Sequence, residues 1–429
     1  MEESKRLLGP VSATSIVVAS MIGTGIFTTS GFLVENIPSA PLLLGVWIVG
    51  GLIALCGALT YSELAAAMPE NGGEYNFLSK LFNPGLGFLS GWISLIVGFS
   101  APIAGAAMAF GAYMSAALPQ VPQKGAAVGV LLIFSFLHMA GLRTGTFTQN
   151  VLTFFKIGLI LAFIIAGFSV GTLTEINRMD FQINPGQYFS PAFAVSLIFV
   201  MYAFSGWNAA AYIGGEVRNP GRNLPLALII GTALVTLLYL GLNVLYICAV
   251  PLKSMAGVLE VGYLAAVSLF GESIGRLFSL GIAVTLLSMI SAMVMAGPRV
   301  YQAMGRDIPF FRFLSRQSKR NTPINGIILQ TIIALIILTT MTFDTLMYYV
   351  GFTLSIFTGL TAAGVFVLRR RRLPSPYRTW GYPVIPGIFI LLSIWMIMHT
   401  IIVRPLESSF GVFTIALGWL VYRLTRGVK

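Results

Sequence analysis

Ser20-Met21-Ile22-Gly23-Thr24-Gly25-Ile26-Phe27 stands in the middle of the first long apolar stretch of the chain, near residues 11–34. Two glycines flank a β-branched threonine there. Each glycine weakens a helix by about 1 kcal/mol relative to alanine, so this stretch disfavours an unbroken helix. Within a membrane, such a sequence serves either close helix packing through small residues or an unwound segment that turns backbone groups toward a solute. Taken alone it leaves both uses open, and packing is the plainer one.

The surrounding composition identifies the solvent. Of 429 residues, 56% are hydrophobic and only 9% are charged, against about 25% charged in soluble domains. So few charges cannot cover a soluble globule of this length, which excludes an ordinary soluble enzyme. The apolar runs are long and unbroken, unlike the roughly 10-residue alternating strands of a membrane β-barrel. An all-α polytopic membrane protein is the fold class expected, because a hydrocarbon core about 30 Å thick takes about 20 apolar residues per helix. Twelve stretches qualify, near 11–34, 41–67, 86–117, 125–141, 146–170, 191–215, 225–250, 273–303, 323–341, 345–368, 383–403 and 409–425. The longest gaps, 171–190, 251–272, 304–322 and 369–382, are too short for a soluble domain, so residues 1–429 read as a single transmembrane domain. Met1–Pro10 lacks a signal-peptide pattern, and the first stretch reads as a retained span. Cys56 and Cys248 lie inside apolar runs, and His138 and His399 stand apart. No metal-ligand cluster is formed, and no cofactor is expected.

With twelve crossings both termini share one side. Twenty of the 26 Lys and Arg residues fall on that side, including Arg369 to Arg372. Positive residues mark the cytoplasmic face, so both termini are expected in the cytoplasm and the protein in the cell inner (plasma) membrane. The same bias explains the net charge of +12 without a nucleic-acid partner. The four consecutive arginines read as a stop-transfer anchor, with binding of anionic membrane lipid as the sharper alternative. Gly72 to Leu78 leads into a short amphipathic helix on the same face.

The sixth stretch repeats the anomaly of the first. Tyr202-Ala203-Phe204-Ser205-Gly206-Trp207-Asn208 places Gly, Ser and Asn at midspan, where an amide needs partners or water. Interruptions at matching positions of two five-span halves point to an inverted-repeat transporter, with helices 1 and 6 discontinuous. Repeat one covers about 11–170, repeat two about 191–368, and two further helices about 383–425. A half-helix starting near Gly25 offers free N–H groups and a positive dipole end, which suit a carboxylate. Half-helices ending near Ile22 and Ser205 offer carbonyls, which suit an ammonium. One site with both is built for a zwitterion, hence an amino acid. The candidate substrate residues are Met21, Ile22, Gly23, Thr24, Gly25, Tyr202, Phe204, Ser205, Gly206, Trp207 and Asn208. No acid stands at the centre of the sixth stretch, so a cationic side chain would lack a buried counter-charge there. Tyr202, Phe204 and Trp207 point to a neutral, partly apolar pocket, or simply to packing.

Lys156 reads as the single buried charge. It lies about 15 Å along a helix from Thr146 at the span's edge, near the midplane of a core about 30 Å thick. Its stem is too short for easy snorkelling, and an intramembrane lysine is a functional-site hypothesis. Burial penalises its charged form, so it can exchange a proton. Alternatively its ammonium occupies the place of a coupling cation, tying the fifth span to the broken first span and to Ser288 or Ser291. Glu63, Glu216 and Arg299 are nearer helix ends and are expected to reach the interface.

These motifs resemble those of the amino acid–polyamine–organocation (APC) superfamily, and within it the L-type amino acid transporter branch, over nearly the whole chain. Gly23-Thr24-Gly25-Ile26-Phe27 matches the first-helix motif and Phe204-Ser205-Gly206-Trp207-Asn208 the sixth. Glu216-Val217-Arg218-Asn219-Pro220 and Arg222-Asn223-Leu224-Pro225 follow, then Gly297-Pro298-Arg299-Val300-Tyr301 and Ala303-Met304-Gly305-Arg306-Asp307. The resemblance implies a leucine-transporter-like fold of ten core helices plus two. It implies a substrate carboxylate on Thr24 and the amides around Gly25, and an α-amino group on carbonyls near Met21, Tyr202 and Ser205. It also implies that Lys156 stands where sodium-coupled cousins hold an ion. Ser205 departs from the Gly frequent in L-type relatives, which narrows the pocket. Residues 118–124 contain no Cys, whereas animal L-type members use one there for a disulfide to a glycoprotein partner. No disulfide-linked heavy subunit is therefore expected.

The leading expectation is a secondary transporter of neutral L-amino acids working by alternating access as an exchanger. A proton-coupled symporter using Lys156 is the alternative, and a membrane amino-acid sensor or channel is the reading from another class. A twelve-helix carrier of the 6+6 type would need a long loop between spans six and seven, where only 216–224 intervene. A membrane enzyme would need paired acids or a nucleophile–base pair in the core, and none is present in the sequence pattern.

Overall fold

The computed structural model describes residues 6–141, 146–170, 185–318 and 322–426. The first apolar stretch forms two helices, α1 (Pro10–Met21) and α2 (Thr24–Asn36). The chain continues through α3 (Ala40–Ala67), a short α4 (Glu74–Leu81), α5 (Pro84–Ile93), α6 (Ala101–Ala117), α7 (Gln123–Met139) and α8 (Thr146–Ser169). Then come α9 (Pro191–Ala203), α10 (Pro220–Ala249), the short α11 (Leu252–Met255) and α12 (Val261–Phe270), and the long α13 (Glu272–Asp307). After α14 (Arg312–Ser315) the chain ends in α15 (Ile324–Thr340), α16 (Phe343–Arg370), α17 (Val384–Val403) and α18 (Pro405–Arg426). Each of the twelve expected stretches carries a helix. Among the described residues, eight helical runs are long and apolar enough to cross a membrane, so the protein is an all-helical polytopic membrane protein.

The helix starts follow local chemistry. Proline, which needs no N–H partner at the first helical turn, opens α1, α5, α9, α10 and α18. Asn83 and Ser190 cap α5 and α9 by accepting from Leu86 N at 3.0 Å and Phe193 N at 3.2 Å. These side chains satisfy amides that a helix start leaves orphaned. Among the described residues there is no strand. Two isolated bridges pair Leu8 with Val217 and Asn71 with Ile213. They hold the start of α1 and the turn before α4 against the segment that follows α9.

Packing builds the interior from helices distant in sequence. The interrupted α1 lies on α10, α10 on α3, and α2 on α9, while α6 and α13 pack together with α7 and α15. α4 tucks between α5 and α16.

Glu63, expected to reach the interface, is buried instead, with its side chain 2% exposed. Arg369 donates from Nε and Nη2 to its two oxygens at 2.9 Å each, and Thr379 N donates at 2.7 Å. The guanidinium also covers the Tyr382 ring at 3.8 Å. The cause is the chain following α16, which folds back so that its backbone completes the carboxylate's shell. Lys156 is therefore not the only buried charge. Removing one member of such a pair strands the other. Arg369→Ala is expected to cost about 3 kcal/mol, read as a lowered unfolding midpoint in detergent, whereas Arg370→Ala leaves the midpoint unchanged.

Candidate binding site at two helix breaks

The first break is two residues long. α1 ends at Met21, Ile22 takes up an extended conformation (ψ 96°), and α2 restarts at Thr24 after Gly23 at φ −148°, ψ −138°. The second break follows Ala203. Phe204 N still bonds Val200 O at 2.9 Å, but the chain then turns at Gly206, whose φ is +98°, before a single 3-10 turn over Ala209–Tyr212. The left-handed region at Gly206 favours a residue without a Cβ.

The two breaks abut, so the glycines serve packing as well as unwinding. A Cβ on Gly206 would lie 2.8 Å from the Ser20 backbone, and one on Gly25 would lie 2.3 Å from Ala203 Cα. Across this contact Thr24 Oγ1 and the Tyr202 hydroxyl share a hydrogen bond of 2.9 Å.

The backbone groups divide unevenly. At the end of α1, Met21 O accepts from the Tyr239 hydroxyl at 2.6 Å, and the same hydroxyl lies 3.2 Å from Ala203 O. Lys156, fully buried, donates to Ile22 O at 3.0 Å and Ala19 O at 3.3 Å. An ammonium at a helix C-terminus is favoured by the helix dipole. At the start of α2, the amides of Gly23, Thr24 and Gly25 have no hydrogen-bond partner among the described residues. The carbonyl end is thus already partly engaged by the protein, whereas the amide end is open.

Beside the breaks lies a cavity of about 120 Å³. Ser20, Ser205, Gly206, Trp207, Asn208 and Glu74 line it, with Ile16, Met201, Val300 and Leu354 among its apolar walls. Of the sequence-derived candidates, Ser205, Gly206, Trp207 and Asn208 reach this space. Met21, Ile22, Gly23, Thr24, Gly25, Tyr202 and Phe204 are buried in the packing behind it. Phe204 packs on Trp47 and Tyr239 with ring centroids 6.0 and 5.1 Å away. Trp207 meets Tyr61 edge-on at 4.6 Å.

The two serines named with Lys156 separate. Ser291 Oγ pairs with His138 Nε2 at 3.0 Å, turning toward α7. His138 is thus tied to α13 rather than isolated. Ser288 Oγ is buried and has no hydrogen-bond partner among the described residues.

Glu74 was not among the candidates. It opens α4, is 3% exposed, and lines the cavity. Its Oε1 accepts from the Tyr61 hydroxyl at 2.7 Å and from Asn208 Nδ2 at 2.9 Å. An acid does therefore stand beside Asn208, supplied by another element. Gly72 and Gly73, both at positive φ, turn the chain, and Gly72 N bonds Tyr212 O at 3.0 Å, which fixes α4 beneath the second break. A carboxylate directly after two turn glycines was the available signal. Burial pushes its carboxyl up to about 7, and the hydrogen bonds from Tyr61 and Asn208 pull the other way.

The sequence profile described as amino acid permease matches residues 8–422. The chain belongs to the amino acid permease family. Among its relatives, the human b(0,+)-type amino acid transporter 1 is 30% identical over 97% of this chain and 87% of its own length. The human large neutral amino acids transporter small subunit 2 is 30% identical over 98% of this chain and 80% of its own. The serine/threonine exchanger SteT of Bacillus subtilis is 27% identical over 97% and 96%. The permease is an amino acid transporter of the APC superfamily, close in pattern to the L-type branch, and not an enzyme. Because Gly206 combines a left-handed backbone with backbone contact to α1, Gly206→Ala is expected to lower amino acid uptake by about tenfold or more, since a strained position costs on the order of 1–3 kcal/mol. Uptake in proteoliposomes, alongside a size-exclusion profile that still shows folded protein, checks this.

Proposed function

We propose that this permease exchanges neutral L-amino acids across the cell inner membrane by alternating access. The carrying observation is the pair of abutting helix breaks, with three amides open at the start of α2 and a cavity alongside. In this reading the chain crosses the membrane twelve times, with both termini cytoplasmic. Two five-helix inverted repeats, about 11–170 and 191–368, are followed by α17 and α18. The substrate carboxylate sits on the Gly23–Gly25 amides and the Thr24 hydroxyl, where the helix dipole favours an anion. The α-ammonium takes carbonyls at the end of α9, around Tyr202 and Ser205, together with the free lone pairs of Met21 and Ile22 carbonyls. Because Gly25 and Gly206 are in close contact with the opposite helix, occupying this seat requires the two breaks to part slightly. The side chain lies in the cavity against Met201, Trp207 and Leu354, apolar neighbours that suit a neutral group.

Lys156 supports a second reading, proton symport. Its ammonium bridges α8 to the end of α1, so loss or gain of its proton changes the hold on the first break. Ser288 and Ser291 are secondary to it in this scheme. The permease works without a disulfide-linked heavy subunit. Residues 118–124 hold no Cys, Cys56 lies within α3 and Cys248 within α10.

Exchange is tested in proteoliposomes by measuring uptake of a labelled neutral amino acid with and without unlabelled amino acid inside. Exchange predicts uptake only when the lumen is loaded; uptake into empty vesicles driven by a pH gradient identifies symport, and no flux across a broad amino-acid panel removes the reading. Lys156→Ala is expected to reduce the transport rate by about tenfold or more, since hydrogen bonds to a charged group contribute about 1.5–3 kcal/mol each; unchanged kinetics would refute its role.

A further inference from the structure

Glu74 presents an unresolved charge. Among the described residues it has no ion-pair partner, and both of its hydrogen bonds fall on Oε1. An ionised carboxylate accepts at about four lone-pair positions, and a buried one without a cation is costly. Two other acids packed near the breaks are matched: Glu63 holds Arg369, and Glu216 holds Arg299 at 3.1 Å. Arg299 also lines the cavity, but its guanidinium is engaged by Glu216. Lys80, on the same helix as Glu74, pairs with Glu70 at 2.5 Å. Arg299 and Lys80 are therefore each held by another acid, and Glu74 faces the cavity with no ion-pair partner among the described residues.

The surroundings hold this carboxylate in place. Tyr61 from α3 and Asn208 from the second break grip one oxygen, and the two glycines before α4 fix the helix start. Its partner Asn208 lies one residue beyond Trp207 and two beyond Gly206, and Glu74 lines the same cavity as Ser20 and Ser205. A solute whose α-carbon groups rest on the breaks can extend its side chain into the cavity that Glu74 lines.

We infer that Glu74 is a second, anionic subsite of this cavity, receiving the ammonium or guanidinium at the end of a long amino acid side chain. The permease then accepts basic amino acids as well as neutral ones. This rests on the transport reading above and adds a residue that sets selectivity. Removal of the carboxylate abolishes the advantage of the cation without removing the seat for the amino acid's own carboxylate and ammonium.

The test compares lysine with norleucine, which matches its carbon chain and lacks the terminal ammonium. Both compete against exchange of a labelled neutral amino acid in proteoliposomes, on the alkaline side of neutrality so that Glu74 is ionised. The wild-type protein is expected to prefer lysine over norleucine. Glu74→Gln is expected to lower that preference by about tenfold or more, the value of one charged hydrogen bond, while Glu74→Asp retains part of it. Should the variants not fold, the wild type is still decisive. In a series of side chains shortened from lysine to 2,3-diaminopropionate, each against its uncharged isostere, the preference is expected to peak at one length. A wild-type protein that favours no cationic member over its isostere overturns the inference, as does an unchanged lysine preference in Glu74→Gln. Failure of norleucine itself to compete, with no labelled exchange to measure, would instead reject the transport reading.

Discussion

Backbone N–H and C=O groups at membrane depth have no water to satisfy them, and among the described residues the structure is organised around two helix breaks, after Met21 and after Ala203. Lipid-exposed irregular backbone is not tolerated in the hydrocarbon core. The breaks at Ile22–Gly23 and Phe204–Gly206 are accordingly surrounded by other helices, with Met21, Ile22, Gly23 and Phe204 all buried. The protein then treats the two polarities differently. Tyr239 and Lys156 meet the carbonyls at the end of α1, while the amides that begin α2 stay open. That asymmetry gives the site a direction, with a positive, unfilled end for an anionic group.

The elements around the breaks fit this arrangement. α10 supplies Tyr239, which touches the carbonyl ends of both breaks with one hydroxyl. α8 supplies Lys156 to α1, and α4 supplies Glu74 to Asn208. Three separate helices thus have a polar contact on one or both interrupted helices, so a change in the seat is felt in several parts of the structure. The Thr24–Tyr202 hydrogen bond ties the breaks to each other. Under the proposed alternating-access scheme, these contacts are the ones that must rearrange when the breaks part.

Much of this was legible in the sequence because the signals were local. The solvent followed from the scarcity of charge, the helices from apolar run length, and both interruptions from glycines beside small polar residues. Lys156 was legible because a lone charge at midspan has few uses. What was not legible depended on tertiary meetings. Glu63 is near the end of α3 in sequence, yet the loop after α16 folds over it and removes it from water. Ser291 was named with Lys156, but its hydroxyl pairs with His138 of α7, a meeting that the sequence of α13 alone does not show. Glu74 lies more than a hundred residues from Asn208, and only the turn at Gly72 and Gly73 brings them together. The sixth stretch holds no acid at its centre, as read, but the buried carboxylate beside Asn208 comes from a connecting segment, because periodicity describes one helix at a time.

The most direct measurement is an experimental structure of the permease with a neutral L-amino acid bound. Expected is a carboxylate within hydrogen-bond distance, about 2.7–3.2 Å, of the Gly23, Thr24 and Gly25 amides, with the ammonium on carbonyls at the end of α9. An amino acid seated elsewhere, with those three amides untouched or α1 and α2 joined into one continuous helix, would contradict the central claim.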